Sequence, residues 1–348
     1  MKRRTIFILC ILISVLLLGF AENNYLSISH ADIKLHIPKG FPKPVYEFKN
    51  NKLSPERFVL GRMLFNDPIL SKDSSTSCAS CHQRIAAFGH IDHTLSHGIY
   101  GMIGKRNVPA LQNLIWKDAF MWDGSIAHLE EQSLGPISNP VEMDESIDHI
   151  IVKLKRNKEY LQRFSDAYGT TGITKDMILK SLTQFVGLMI SADSRYDRYI
   201  NGKDTFSMQE KHGLALFRAN CATCHKEPLF TDNSYRNNGL PEDTTLHDKG
   251  RGAVSGIVAD EFMFKVPSLR NVEKTYPYMH DGRYKRLRDV MNHYAITAKK
   301  SEGVDKEVKK IPEFTDKDKT DIVAFLLTLT DKTFLHDKRF IDPFAMQP

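Results

Sequence analysis

The sequence predicts a mainly α-helical chain made of two tandem copies of one unit, and three observations predict it. A five-residue run occurs twice, as C-A-S-C-H at 78–82 and C-A-T-C-H at 221–225. The same pattern precedes each run, Gly61-x-x-Leu64-Phe65 before the first and Gly213-x-x-Leu216-Phe217 before the second. Each unit then closes on an apolar stretch of helical period, without strong strand-type alternation.

The elements follow in chain order. Lys2, Arg3 and Arg4 form a basic n-region, Ile6 to Phe20 is apolar, and Ala21 is the predicted cleavage position. Residues 1–21 therefore read as a secretory signal peptide, which implies a periplasmic protein. The apolar run is shorter than the roughly 20 residues of a spanning helix, which disfavours an uncleaved anchor. Residues 22–52 form an N-terminal segment. The first unit, 53–200, begins where Ser54 caps a helix with Pro55 at its first position. Its closing helix runs from Thr174 through Ile178, Leu182, Phe185 and Met189. The boundary falls near Asn201-Gly202-Lys203-Asp204, polar and glycine-containing. The second unit, 201–335, opens on a capping box of Ser207 and Glu210. It closes on a helix from Thr315 through Ile322, Phe325, Leu326 and Leu329. Residues 336–348 form a tail.

Charge excludes some partners. The chain carries +6, three of it in the signal. The remainder is too small to argue for nucleic acid or a membrane surface. The run from Lys299 to Lys310 also holds Glu302, Asp305 and Glu307, and reads as a solvated face.

Cys10 leaves with the signal, and the other four cysteines are Cys78, Cys81, Cys221 and Cys224. Exported cysteines usually pair as disulfides, but this spacing points elsewhere. In C-x-x-C-H the two thiols form thioethers with the vinyl groups of a haem, and the adjacent histidine reaches the iron. Paired zinc-ribbon motifs lie about 15–20 residues apart, far closer than these two. A redox dithiol does not require His82 and His225. The reading is two cytochrome-c-like domains, each with one covalent haem c.

With those motifs in place, the chain resembles the bacterial di-haem cytochrome c peroxidases and their MauG relatives over roughly residues 53–330. The resemblance rests also on G-K-R-N-V-P-A-L-Q-N (104–113), F-M-W-D-G-S (120–125), L-E-E-Q-S-L-G-P-I (129–137) and N-P-V-E-M (139–143). Three more stretches carry it, S-R-Y-D-R-Y (194–199), V-P-S-L-R-N-V (266–272) and P-Y-M-H-D-G (277–282). It implies that peroxide reacts at the haem on Cys78, Cys81 and His82. The haem on Cys221, Cys224 and His225 would store or relay electrons.

The resemblance also implies roles for single residues. Glu142 falls at the family's catalytic glutamate, a proton carrier for peroxide cleavage; read alone it is an exposed acid beside Asp144 and Glu145. Gln132 matches a polar position of the peroxide pocket; read alone it is a surface amide. Trp122 matches an electron relay between the haems, where the plain reading of a tryptophan is core. Trp116 has no such match and is assigned to the core. His97 aligns with a distal histidine that blocks the first iron in some relatives, with His90 and His93 as competitors. Asn107, Thr275 and Pro277 match positions that bind one calcium ion.

In the peroxidases a methionine ligates the second iron 14 residues beyond the histidine of the P-Y-x-H-D-G motif. Here that register starts at His280 and reaches Tyr294, which resembles MauG. Met291 and His293 stay open as alternatives, because Met291 and Tyr294 share a helix face.

The function expected is a peroxidase that reduces hydrogen peroxide with electrons from a small cytochrome or cupredoxin. The alternative is a MauG-type oxidase acting on a residue of a partner protein. A plain di-haem electron carrier is disfavoured by Glu142 and the long insert between Phe65 and Cys78. A homodimer is left open.

Overall fold

The computed structural model describes residues 32–345, so the predicted signal peptide lies outside the described residues. The chain is mainly helical, and its buried apolar residues form two clusters. One draws on residues 33–189 together with Leu229, Phe334, Leu335 and Phe340. The other draws on residues 196–329.

Each cluster is organised by one helix crossing. In the first, the helix Pro55–Asn66 starts where Ser54 Oγ accepts from the Arg57 amide at 3.2 Å. It packs on the helix Lys175–Gly187, capped by Thr174. In the second, the helix Met208–Asn220 begins at the Ser207–Glu210 capping box and packs on Asp316–Leu327. Each such cap contributes about 1 kcal/mol.

The repeated glycine marks the crossing point. A Cβ on Gly61 would lie 1.9 Å from the Ser181 carbonyl oxygen, and one on Gly213 would lie 1.9 Å from that of Asp321. Phe65 meets Phe185 with ring centroids 5.0 Å apart, and Phe217 meets Phe325 at the same 5.0 Å. The sequence repeat is thus a repeat of close helix packing.

Both closing helices stop two residues before the predicted ends, at Gly187 and Leu327. Met189 and Leu329 remain fully buried beyond them. The reason is shared: the Met189 carbonyl accepts from the Asn113 amide at 2.8 Å, and the Leu329 carbonyl from the Asn271 amide at 3.1 Å.

Those two asparagines belong to a second internal repeat. N-V-P-A-L-Q-N at 107–113 corresponds to K-V-P-S-L-R-N at 265–271, and F-M-W-D-G at 120–124 to Y-M-H-D-G at 278–282. All these pairs are 158 positions apart. The backbone repeats with them. Asn113 and Asn271 have φ of 58° and 57°, a left-handed conformation that asparagine tolerates better than most residues. The two repeats also bind each other across the units. The Asn107 amide donates to the His280 carbonyl at 2.6 Å, and the Lys265 amide donates to the Trp122 carbonyl at 2.7 Å. The only named strands among the described residues, Tyr235–Arg236 and Phe264–Lys265, pair antiparallel beside this junction.

Candidate functional site: two imidazole–thiol clusters and the cavity between the units

Cys78–Cys81 form a short helix capped by Ser77, whose Oγ accepts from the Ser80 amide at 3.3 Å. His82 follows at its end. Its Nδ1 lies 2.6 Å from the Phe88 carbonyl oxygen. A carbonyl only accepts, so Nδ1 carries the proton and Nε2 keeps its lone pair. Burial lowers the His82 pKa to about 4, which keeps the ring neutral. Burial also pushes the Cys78 thiol up to about 12.

The second cluster repeats this arrangement. Cys221 ends the helix Met208–Asn220. His225 Nδ1 lies 3.2 Å from the Phe230 carbonyl and 3.1 Å from that of Pro267. Burial lowers the His225 pKa and pushes Cys221 up to about 12. At both sites half-buried thiols with raised pKa accompany an imidazole whose Nε2 lone pair is left for a metal. A tether from the other nitrogen to a carbonyl is the usual support of a metal-binding histidine. These residues fit a covalently attached haem.

A cavity of about 260 Å³ adjoins the second cluster and reaches the first unit. Cys221, Cys224, His225, Met291 and Tyr294 line one part of it. Trp122, Gln132, Asn107, Thr275 and Pro277 line the rest of its wall. Gln132, expected beside peroxide at the first haem, lines the part of this cavity contributed by the first unit.

The three residues left open near the end of the chain separate here. His293 is 1 % exposed, with Nε2 3.1 Å from the Asn238 carbonyl oxygen and Nδ1 3.5 Å from the Tyr284 hydroxyl. Its nitrogens are engaged by protein. Met291 and Tyr294 both line the cavity. The shared α-helical face does not persist, because the helix Leu287–Asn292 widens into a π turn at His293–Thr297. Such turns are frequent at functional sites. Burial raises the Tyr294 phenol to about 12, opposed by a hydrogen bond with Asn238.

Glu142 lies outside any helix and is half-buried beside the first cluster. Burial raises its pKa, while side-chain hydrogen bonds with Asn139 and Ser96 oppose the rise. Its charge in turn raises the Cys78 and Cys81 thiols, which places it near both attachment points. The Gly98 backbone approaches so closely that a Cβ there would lie 2.5 Å from Glu142 Cα. Glu145 is different: it is buried and bound to Lys153 at 2.9 Å.

Trp122 is half-buried, and its Nε1 donates to the Asn107 carbonyl at 2.8 Å. Trp116 is in the core, with Nε1 donating to the Pro42 carbonyl at 2.8 Å. The His97 carbonyl lies 3.2 Å from Cys81 Sγ. Its ring clusters with the other two candidates, 4.5 Å from His93 and 6.0 Å from His90 between centroids. The Asn107 amide nitrogen donates to the Thr94 carbonyl at 3.0 Å.

Sequence reasoning missed Ser96 as a partner of Glu142, since nothing in L-S-H-G distinguishes it. It also missed Lys117 and Lys265 on the cavity wall. Aligning K-V-P-S-L-R-N with N-V-P-A-L-Q-N would have singled out Lys265. No helix among the described residues is long and apolar enough to cross a membrane.

Two tethered imidazoles, each following a thiol pair in a duplicated helical unit, define a c-type di-haem protein. Residues 55–205 match the model of the di-haem cytochrome c peroxidase family, and residues 210–330 match that of cytochrome c. The chain is 36% identical over 297 residues to the methylamine utilization protein MauG of Methylorubrum extorquens, covering 84% of this chain and 82% of that one. It is 35% identical over 275 residues to the cytochrome c551 peroxidase of Nitrosomonas europaea, covering 78% and 79%. A solved MauG-like protein associated with microbial copper homeostasis aligns with TM-score 0.83 at 29% identity, covering 89% of this chain and 99% of that one. The chain belongs to the di-haem cytochrome c peroxidase/MauG family, and is an oxidoreductase with two covalently bound haems c.

Proposed function

We propose that this enzyme is a MauG-like peroxidase, in which peroxide is reduced at the haem on Cys78, Cys81 and His82. Cys221, Cys224 and His225 would hold the second haem, and Tyr294 would be the other protein ligand to its iron. One observation carries this reading: Tyr294 lines the same cavity as His225, while His293 is turned into hydrogen bonds with protein. Met291 is the competitor from the same cavity wall.

The haems supply redox-active iron when bound. The chain supplies proton control and geometry. Glu142 takes the proton from the proximal oxygen of bound peroxide and returns it to the leaving oxygen. Its raised pKa favours that exchange nearer neutrality. Ser96 and Asn139 hold the carboxyl in place. Hydrogen peroxide, two protons and two electrons give two molecules of water. A small cytochrome or cupredoxin delivers the electrons one at a time. In the oxidase reading, a residue of a partner protein supplies them. Trp122, on the wall between the units, relays them. Gln132 is the candidate amide that hydrogen-bonds peroxide. His97 is the candidate distal ligand of the first iron. The Asn107 side chain with the Thr275 and Pro277 carbonyls is the candidate calcium site. The basic n-region and apolar run of residues 1–21 support export to the periplasm.

The test is peroxide addition to the as-isolated diferric holoprotein, followed by absorption and EPR spectroscopy. Reaction without prior reduction is expected. A protein inert to peroxide until one haem is reduced would return the assignment to an ordinary peroxidase with Met291 as ligand.

A further inference from the structure

The wall of the cavity beside the second cluster is mostly apolar, yet it holds two lysines, Lys117 and Lys265. Lys265 is 8 % exposed. Its ammonium donates to the Ala119 carbonyl and lies 5.7 Å from the centroid of the Phe120 ring. Among the described residues the ammonium of Lys117 has no hydrogen-bond or ion-pair partner, and neither lysine has a carboxylate within 4.0 Å. The acids whose charge Lys265 feels are placed elsewhere. Asp118 is exposed, and Asp123 is bound to Arg106 at 2.6 Å. Arg236, also on this wall, already pairs with Asp305 at 3.0 Å and Asp232 at 3.2 Å.

Lys117 is half-buried, and two neighbouring cations without counter-ions are costly on a mostly apolar cavity wall. Burial, and for Lys265 also repulsion from Lys117, drives them towards the neutral amine. Lys117 falls to about 8 and Lys265 to about 7. The cost is removed if the molecule that fills the cavity brings anions to them. A haem brings two, its propionate carboxylates, while the rest of the ring suits the apolar wall.

We propose that Lys117 and Lys265 bind the propionate carboxylates of the haem attached at Cys221 and Cys224. Neither residue touches the reacting atoms. They position the haem edge and set its charge environment. A fixed positive charge near the iron favours the reduced state, so removing one lowers the reduction equilibrium of that haem.

The test uses the holoprotein with both haems loaded. Lys117→Met and Lys265→Met are each expected to lower the reduction equilibrium of the second haem by about tenfold, ~59 mV for a one-electron couple. The first haem shifts less. The propionate bending bands of the second haem should move in resonance Raman spectra, and Lys117→Arg and Lys265→Arg should restore both readouts. An unchanged potential overturns the proposal, and so does a lowered potential with unmoved propionate bands, which would mean charge acting at a distance. If a methionine variant fails to load haem, a crystal structure of the wild-type holoprotein decides. Each Nζ within 4 Å of a propionate oxygen supports the pairing. Both ammonium groups directed elsewhere refute it.

Discussion

The two haem units carry the same backbone devices and different side chains on them. In both, a glycine lets two helices touch, an imidazole is tethered through Nδ1, and an asparagine at positive φ turns the chain into the cavity wall. Yet along the repeat at 158 positions, Asn107 answers to Lys265, Gln112 to Arg270 and Trp122 to His280. The expected calcium positions Thr275 and Asn107 answer to Lys117 and Lys265, so where one half offers neutral oxygen ligands the other offers ammonium groups. Even the aromatic tips differ. Trp122 donates its Nε1–H to the Asn107 carbonyl, whereas the His280 ring stacks on Phe264 at 3.6 Å. Duplication supplied a scaffold, and specialisation lies in side chains that the scaffold leaves free to vary.

The largest test of that division is at the second iron. Tyr294→Met should leave the fold intact, because Tyr294 lines a cavity and methionine is the smaller, more flexible side chain. It should raise the midpoint potential of the second haem by a few tenths of a volt, within the roughly 0.8 V that axial ligation spans. Spectroelectrochemistry would measure it. The ferric spectrum should gain a sulfur charge-transfer band at its red edge. A wild-type spectrum that already has this band would assign the ligand to Met291 and make the two units more alike than proposed.

Next is Glu142, the acid proposed to serve the first unit alone. Glu142→Gln keeps the shape and removes the exchangeable proton. Peroxide turnover should fall by about 10²–10⁴, the usual contribution of general acid–base help. The second haem's spectrum should not change. Near-normal steady-state turnover would move the proton role to another group.

The third contrast is structural. Arg270 is fully buried and holds Asp197 through two bonds of 2.8 and 2.7 Å. Arg270→Ala would strand a buried carboxylate, and should cost about 3–5 kcal/mol. Its counterpart Gln112 is neutral and donates to the Arg270 carbonyl at 2.7 Å. Gln112→Ala should cost about 1–3 kcal/mol. Denaturant melts of the two holoproteins would compare them. Equal losses would mean that the buried ion pair adds nothing over an amide.

Much of this contrast was legible in the sequence, because its signals are local. Two cysteines and a histidine in five residues announce a haem wherever they fold. Caps at Ser54, Thr174, Ser207 and Thr315 mark helix starts through one side chain and one nearby amide. Ends were less legible, since the closing helices stop where distant Asn113 and Asn271 claim the Met189 and Leu329 carbonyls. The site was less legible again. The π turn that parts Tyr294 from the α-helical register has no spacing signature. Ser96 meets Glu142 across 46 positions. Lys265 reads as an ordinary surface lysine until the chain buries it. Gln132 was assigned to the peroxide pocket by resemblance alone, since an amide in L-E-E-Q-S-L has no local signature.

The smallest effect tests the shared scaffold itself. Gly61 and Gly213 each sit inside a helix, where alanine is intrinsically better by about 1 kcal/mol. Propensity alone therefore predicts that Gly61→Ala and Gly213→Ala stabilise. The crossing predicts the opposite. Each new methyl would lie 1.9 Å from a backbone carbonyl oxygen, Ser181 in one unit and Asp321 in the other. A flexible side chain could swing aside, but a carbonyl within a helix moves only if the helix moves. Forcing the pair apart costs about 1–3 kcal/mol for a methylene-sized excess, occasionally more. It would also loosen Phe65 against Phe185, or Phe217 against Phe325. The net loss should be up to about 2 kcal/mol in each variant, a fall of up to roughly 8 °C in Tm by calorimetry. Similar losses would show that both units depend on the same contact. A stabilised Gly213→Ala beside a destabilised Gly61→Ala would mean that the second crossing is looser, and that the duplication had diverged in its packing as well as in its chemistry.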